Sequence, residues 1–128
     1  MVLDLDHFKS INDTYGHIVG DRVLSRVSAV VRTAMREGDI LIRYGGEEFM
    51  ALLPGSSASD TQGIAERIRR MIKESDIKDG DQKIEVTASI GGIAYPDSDA
   101  ETEEDLVRQA DEALYSAKHG GRDRIEMA

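Results

Sequence analysis

Apolar and polar positions fall in short blocks whose period changes along the chain. Met1 to Leu5 is apolar except at Asp4, which predicts a short buried strand, and the polar stretch from Asp6 to Gly20 reads as a loop. From Asp21 onward apolar residues fall at Val23, Leu24, Val27, Val30, Val31 and Ala34, the spacing of an amphipathic helix ending near Gly38. Ile40 to Tyr44 and Phe49 to Leu53 are apolar runs parted by Gly45-Gly46-Glu47-Glu48, which predicts a β-hairpin with a glycine-led turn. Pro54-Gly55 and the serines to Ser59 form a loop, followed by a helix with Ile64, Ile68, Met71 and Ile72 on one face. After the polar turn Lys78 to Gln82, Ile84 to Tyr95 predicts one long strand in which Gly91-Gly92 permits a bulge or bend. The last helix carries Leu106, Val107, Ala110, Ala113, Leu114 and Ala117 and stops at Gly120-Gly121, and Arg124 to Met127 can close the fold as a strand.

The predicted order is β-α-β-β-α-β-α-β with no internal repeat. That pattern implies one α/β (α+β) domain over residues 1–128, with a central, mostly antiparallel sheet covered by helices. A 40% hydrophobic content supplies a single core for 128 residues. The net charge of -9 argues against a DNA or RNA binder, which needs a basic face for phosphates. Nucleotides are still bindable if the acids carry a metal ion and a few Lys or Arg act locally. Cysteine is absent, which excludes disulfides, thiolate nucleophiles and zinc–sulfur sites. No apolar run approaches the ~20 residues that span a bilayer, so direct membrane contact is not expected. A reduced, cytoplasmic setting is the expectation, with room for a tether to the inner membrane in an upstream segment.

Two segments carry candidate chemistry. In Arg43-Tyr44-Gly45-Gly46-Glu47-Glu48-Phe49, adjacent carboxylates at a hairpin tip repel each other, and a bound cation is the usual offset. The glycines let backbone approach a ligand with no Cβ in the way. The plainer reading is a solvated turn whose acids face water. The second segment runs from Asp4-Leu5-Asp6-His7-Phe8-Lys9 through Asn12-Asp13 and Gly16-His17 to Gly20-Asp21. An unpaired carboxylate at Asp4 inside an apolar strand costs on the order of several kcal/mol. If that strand lies beside the hairpin, Asp4 and Glu48 converge on one Mg²⁺, with the Leu5 carbonyl as a further oxygen ligand. On an edge strand at the surface, the acid would simply be solvated.

The strings DLDHFKSINDTYGHIVGD, RYGGEEF, TASIGG and ADEALYSAKHGGRDR stand in that order and cover nearly the whole chain. Together they resemble the signatures of the GGDEF family of diguanylate cyclases, in which GGEEF is an accepted variant of the name motif. The resemblance implies a palm-like nucleotidyl cyclase architecture. It also implies that two GTP molecules condense into cyclic di-GMP plus two pyrophosphates on a homodimer, since each domain offers one nucleotide pocket. By this similarity Asp4, Glu47 and Glu48 are the catalytic acids. Asp4, Glu48 and the Leu5 carbonyl are ligands for Mg²⁺ (or Mn²⁺), and Glu47 supports a second metal position. Asn12 and Asp21 match the guanine-reading pair, and Lys118 and Arg122 match the phosphate-gripping pair. Backbone amides around Asp6 to Lys9, with Phe8 and Lys9 themselves, complete the substrate-binding set.

The R-x-x-D pattern Arg36-Glu37-Gly38-Asp39 lies five residues ahead of Gly45, in the register of the family's product-inhibition site, and Arg67 matches a further arginine of that site. The same pattern recurs at Arg108 to Asp111, so only its register distinguishes the first copy. Without the family, Arg36 and Asp39 read as a helix-end salt bridge of little energy, and Lys118 and Arg122 as favourable charge at a helix C-terminus. His7, His17 and His119 show no metal-ligand spacing and are assigned structural roles. Family members also carry helices ahead of the first strand, including a segment resembling D-x-L-T-G-L-x-N-R. None of that is present, so the chain is expected to be an N-terminally truncated domain lacking upstream sensor domains. An alternative within the family is a silent module that binds GTP or cyclic di-GMP as a sensor or partner domain.

Overall fold

The computed structural model describes all residues, Met1–Ala128. Its elements are β1 (Val2–Leu5), α1 (Phe8–Tyr15), α2 (His17–Ala34), β2 (Ile40–Arg43), β3 (Glu48–Leu52), α3 (Ala58–Lys73), β4 (Lys78–Asp79), β5 (Gln82–Lys83), β6 (Ala88–Gly92), α4 (Glu103–His119) and β7 (Ile125–Met127). No helix is long and apolar enough to cross a membrane.

Three segments depart from the sequence expectation. Asp6 to Gly20 is mostly helical rather than a loop. Phe8, Ile11 and Val19 are buried there, so the polar residues between them are the wet side of α1 and of the start of α2. Gly16, at φ 86°, separates the two helices. α2 stops at Ala34, short of Gly38, because Met35 is extended and the Asp39 carboxylate takes the Arg36 amide at 2.8 Å. The run from Ile84 to Tyr95 joins the sheet only over β6. Ile84 and Val86 are buried in the core ahead of the ladder, and Gly80 (φ 61°) turns the separate β4–β5 ribbon.

The main sheet has the order β2-β3-β1-β6-β7, antiparallel throughout except for the parallel β6–β7 pair. β1 is therefore central and not an edge. Register assigns the faces. Leu3 lies opposite both Phe49 and Ile90, and these side chains join Leu5, Val23, Val27, Ile64, Ile68 and Ile72 in the principal core beneath α2 and α3. Val2 lies opposite Met50 and Gly91 on the other face, where α4 packs through Ala110 and Leu114. Alternation along β1 then turns Asp4, like Val2, toward α4.

Gly91 sets how closely α4 approaches. The β1–β6 register runs through it without a bulge, but a Cβ there would stand 2.1 Å from the Ala110 carbonyl oxygen and 2.4 Å from the Leu114 nitrogen. Backbone on both sides cannot yield, so Gly91→Ala is expected to push α4 off the sheet and cost about 3 kcal/mol. Urea denaturation midpoints check this, and an unchanged midpoint contradicts it.

Candidate active site

Asp4 sits in the middle of the sheet with 6% of its surface exposed. Its direct cross-strand neighbours are Glu48 on β3 and Ser89 on β6. Directly opposed residues of an antiparallel pair share a face, with Cβ atoms about 5 Å apart. The two carboxylates expected to converge are therefore neighbours on the α4 face. The nearest positive charge comes from α4, whose Lys118 Nζ donates to Asp4 Oδ2 at 2.7 Å.

One ammonium does not balance the cluster. Burial pushes the Glu48 carboxyl above its ordinary value and the charge of Asp4 pushes it further, while Lys118 pulls it down and Asp111 and Glu47 add repulsion. Electrostatics of this kind favour a second cation at the Asp4–Glu48 pair. The hairpin is shaped to hold Glu48 in that position. The Tyr44 and Gly45 amides both donate to the Glu48 carbonyl, at 2.9 and 3.3 Å, and the Arg43 guanidinium clamps the Gly46 carbonyl at 2.8 Å. A Cβ on Gly45 would stand 2.8 Å from the Glu48 carboxylate, whereas one on Gly46 would meet nothing. A side chain at Gly45 would thus crowd the Glu48 carboxylate and shift it, while Gly46 faces open space. The Glu47 carbonyl accepts from the Leu5 amide at 3.2 Å. No three His, Asp or Glu side chains close on a common point as a metal cage. The donor set on offer is two carboxylates and backbone oxygen, and it suits a hard divalent cation that keeps waters and phosphate oxygens among its ligands.

The remaining residues fall into three groups. At the start of α1, His7 is left-handed (φ 55°) and supplies no side-chain cap. The Ile11 amide bonds the His7 carbonyl, and the amides of Phe8, Lys9 and Ser10 find no partner within the chain. That leaves a helix N-terminus able to receive phosphate. Phe8 contributes only its amide, since its ring is in the core, and Lys9 is exposed. The Asp6 amide is not available, because it donates to the Thr87 carbonyl at 2.9 Å.

Asn12 and Asp21 form the second group. The Asn12 carboxamide lies on the α2 backbone at Gly20, where any Cβ would stand 1.9 Å from its Oδ1, and Asp21 is the next residue. Asp21 also lines a cleft of about 400 Å³ with Arg43 and Phe49, between α2 and the hairpin. A larger apolar cavity of about 570 Å³, lined by residues including Val2, Met50, Ile93 and Leu106, contains none of these residues.

The third group is Arg36, Asp39 and Arg67. The Arg67 guanidinium donates to the Ala34 carbonyl, which brings α3 against the end of α2. The Arg36 guanidinium and the Asp39 carboxylate do not form the helix-end salt bridge of the plainer reading. The guanidinium reaches Asp60 at 3.8 Å, because Asp39 is turned inward onto the Arg36 amide.

Sequence reasoning overlooked Asp6. Its carboxylate is 5% exposed and accepts from the Thr87 and Ser89 hydroxyls, both at 2.7 Å, and from the Asp123 amide at 3.0 Å. The alternating hydroxyls in TASIGG were the available signal. Lys118 reaches the site from α4, and Arg122 lies exposed just beyond the helix end, with its amide bonded to the Ala117 carbonyl at 3.0 Å.

Comparison with known proteins gives a consistent result. The family model described as diguanylate cyclase, GGDEF domain, matches residues 1–124. Diguanylate cyclase A of Treponema denticola is 44% identical over 128 residues, covering 100% of this chain and 34% of that protein. The chain thus spans about a third of that relative's length. The crystal structure of the Pseudomonas aeruginosa diguanylate cyclase SiaD, in complex with its activator SiaC, superposes with a TM-score of 0.93 at 39% identity, over 99% of this chain and 48% of that one. The coiled coil and GGDEF domain of DgcB from Caulobacter crescentus, in complex with c-di-GMP, gives 0.89 at 34% identity, over 99% and 67%.

The raised Glu48 carboxyl carries a sign that can be tested. Its folded-state value lies above the unfolded one, so the fold binds a proton more readily, and stability is lost as pH rises through the window between them. Glu48→Gln is therefore expected to melt above the wild type at neutral pH without divalent cation, an advantage that fades as the pH is lowered. A lower melting temperature at neutral pH contradicts the repulsion.

Proposed function

The chain belongs to the GGDEF family of diguanylate cyclases, and from that premise we propose that it condenses two GTP molecules into cyclic di-GMP, releasing two pyrophosphates. The carboxylates of Asp4 and Glu48 and the carbonyl of Leu5 would hold Mg²⁺ (or Mn²⁺), with Glu47 supporting a second metal position. When bound, such an ion activates the attacking 3′-hydroxyl and neutralises charge developing on the α-phosphate. The chain's own groups bind and orient. The Asp21 carboxylate accepts from the N1 and N2 donors of guanine, with Asn12 beside it. Adenine lacks that donor pair, so it would leave acceptors unpaired. The free amides of Phe8 and Lys9, the Lys9 side chain, Lys118 and Arg122 hold the triphosphate.

Each copy offers one such pocket, so turnover needs two copies face to face. Arg36, Asp39 and Arg67 form a second site for the product, where an arginine stacks on guanine and pairs with phosphate. The observation that carries this reading is the in-register Asp4–Glu48 pair on the central strands, served by Lys118 alone.

Incubation of the chain with GTP and Mg²⁺, at concentrations that allow pairing, is expected to yield cyclic di-GMP. Asp4→Asn should lower turnover at least about a hundredfold with the fold retained, and undiminished turnover contradicts the assignment. Gly20→Ala displaces the Asn12 carboxamide and is expected to raise KM for GTP about tenfold, a loss of one hydrogen-bonding partner's worth of binding. An unchanged KM would remove Asn12 from the base pocket.

A further inference from the structure

The loop between α4 and β7 is held in a backbone shape that its residues do not favour. Gly121 (φ 121°), Arg122 (φ 63°) and Asp123 (φ 44°) are consecutive and all have positive φ. Non-glycine residues stay in that region only where their surroundings over-determine it, most often at functional sites.

What holds them is specific. The Asp123 amide donates to Asp6 Oδ2 at 3.0 Å, and Asp6 is itself fixed by Thr87 and Ser89. The Asp123 carboxylate is gripped from α3 by Arg69 at 2.5 Å and Lys73 at 2.6 Å. Arg69 also reaches the Asp123 carbonyl at 3.3 Å and is locked by Glu66 at 2.8 Å. Burial pushes the Asp123 carboxyl up, but the hydrogen bonds from Lys73 and Arg69 outweigh it and hold the group below its ordinary value, so the grip stays charged.

Asp123 is thus tied on one side to the strand that bears Asp4, two residues ahead of Asp6. On the other side it is tied to a helix that takes no part in the site. Its sequence neighbour Arg122 enters none of these ion pairs, and Lys118 lies one helical turn before Arg122. The loop's fixed contacts fall on Asp123 and the backbone, and Arg122 is exposed with no ion pair on its guanidinium.

We propose that Asp123, clamped by Arg69 and Lys73, is a positioning residue that sets Arg122 and Lys118 for a nucleoside triphosphate. This rests on the reading of Lys118 and Arg122 as phosphate ligands given above. Removing the clamp frees the loop to relax toward ordinary backbone, and an arginine displaced by an ångström grips phosphate poorly. The base pocket at Asn12 and Asp21 belongs to α1 and α2 and does not depend on the clamp.

The test compares GTP with guanosine, which lacks phosphates, in Mg²⁺-containing titrations of the whole chain. Asp123→Asn and Arg69→Ala are expected to weaken GTP about tenfold or more while leaving guanosine affinity and far-UV circular dichroism unchanged. Arg69→Lys should recover part of the loss. If Asp123→Asn does not fold, the exposed-side variant Lys73→Gln serves instead, with a smaller loss in the same direction. GTP affinity within twofold of wild type, or an equal loss for guanosine and GTP, overturns the positioning role. Wild-type chain that binds guanosine but gains nothing from the triphosphate overturns instead the phosphate reading of Lys118 and Arg122.

Discussion

Two carboxylates placed opposite each other on adjacent central strands, one buried beneath a helix and the other partly exposed at the hairpin, are the constraint around which this molecule is arranged. Asp4 cannot turn to solvent, because β1 has neighbours on both sides and α4 lies over its face. Glu48 cannot retreat, because its strand register and the hairpin bonds at Tyr44 and Gly45 fix it. An isolated buried charge is expensive, and a like-charged neighbour makes it more so. Lys118 offsets only part of that repulsion. The remaining demand for positive charge is what the proposed divalent cation would supply, and with it an acidic chain could present a site for an anionic triphosphate.

The rest of the architecture keeps that cluster in register. Gly91 brings α4 close enough for Lys118 to reach Asp4, and Gly45 gives Glu48 room. Asp6 fastens the end of β1 to β6 and to the loop after α4, so the three segments that border the cluster move as one. A buried carboxylate with three donors is well satisfied, and it rigidifies the site without adding free charge to it. The groups proposed to read guanine and hold phosphate, on α1, α2 and the α4–β7 loop, stand around that centre.

Much of this was legible in the chain itself. The apolar run broken only by Asp4, the Gly-Gly-Glu-Glu corner and the amphipathic spacings of α3 and α4 give the five-stranded sheet and the pairing of the acids. Less legible was the segment from Asp6 to Gly20. Its motif residues are polar because one side faces solvent, and that hid α1 and the first turn of α2, whose buried positions in the stretch are Phe8, Ile11, Val19 and Gly20. Ile84 and Val86 alternate like strand residues because both are buried in the core, although neither pairs in the sheet. The Asp6–Asp123–Arg69 chain joins residues more than fifty positions apart, and nothing local distinguishes Asp6 from Asp4 or Asp13. The plainer Arg36–Asp39 salt bridge fails for a related reason: spacing suggests a side-chain partner but does not reveal that a backbone amide takes the Asp39 carboxylate first.

The central claim is that the Asp4–Glu48 pair is where a divalent cation settles on a chain rich in acids. Titration of isotope-labelled protein with substoichiometric Mn²⁺, read as paramagnetic broadening of amide resonances, tests it most directly. The account predicts that broadening begins at Asp4, Leu5, Glu47 and Glu48 and reaches Lys118 on α4. Broadening that begins instead on the outer acidic face of α4, around Glu103, Glu104 and Glu112, with the β1 and hairpin amides untouched, would contradict it.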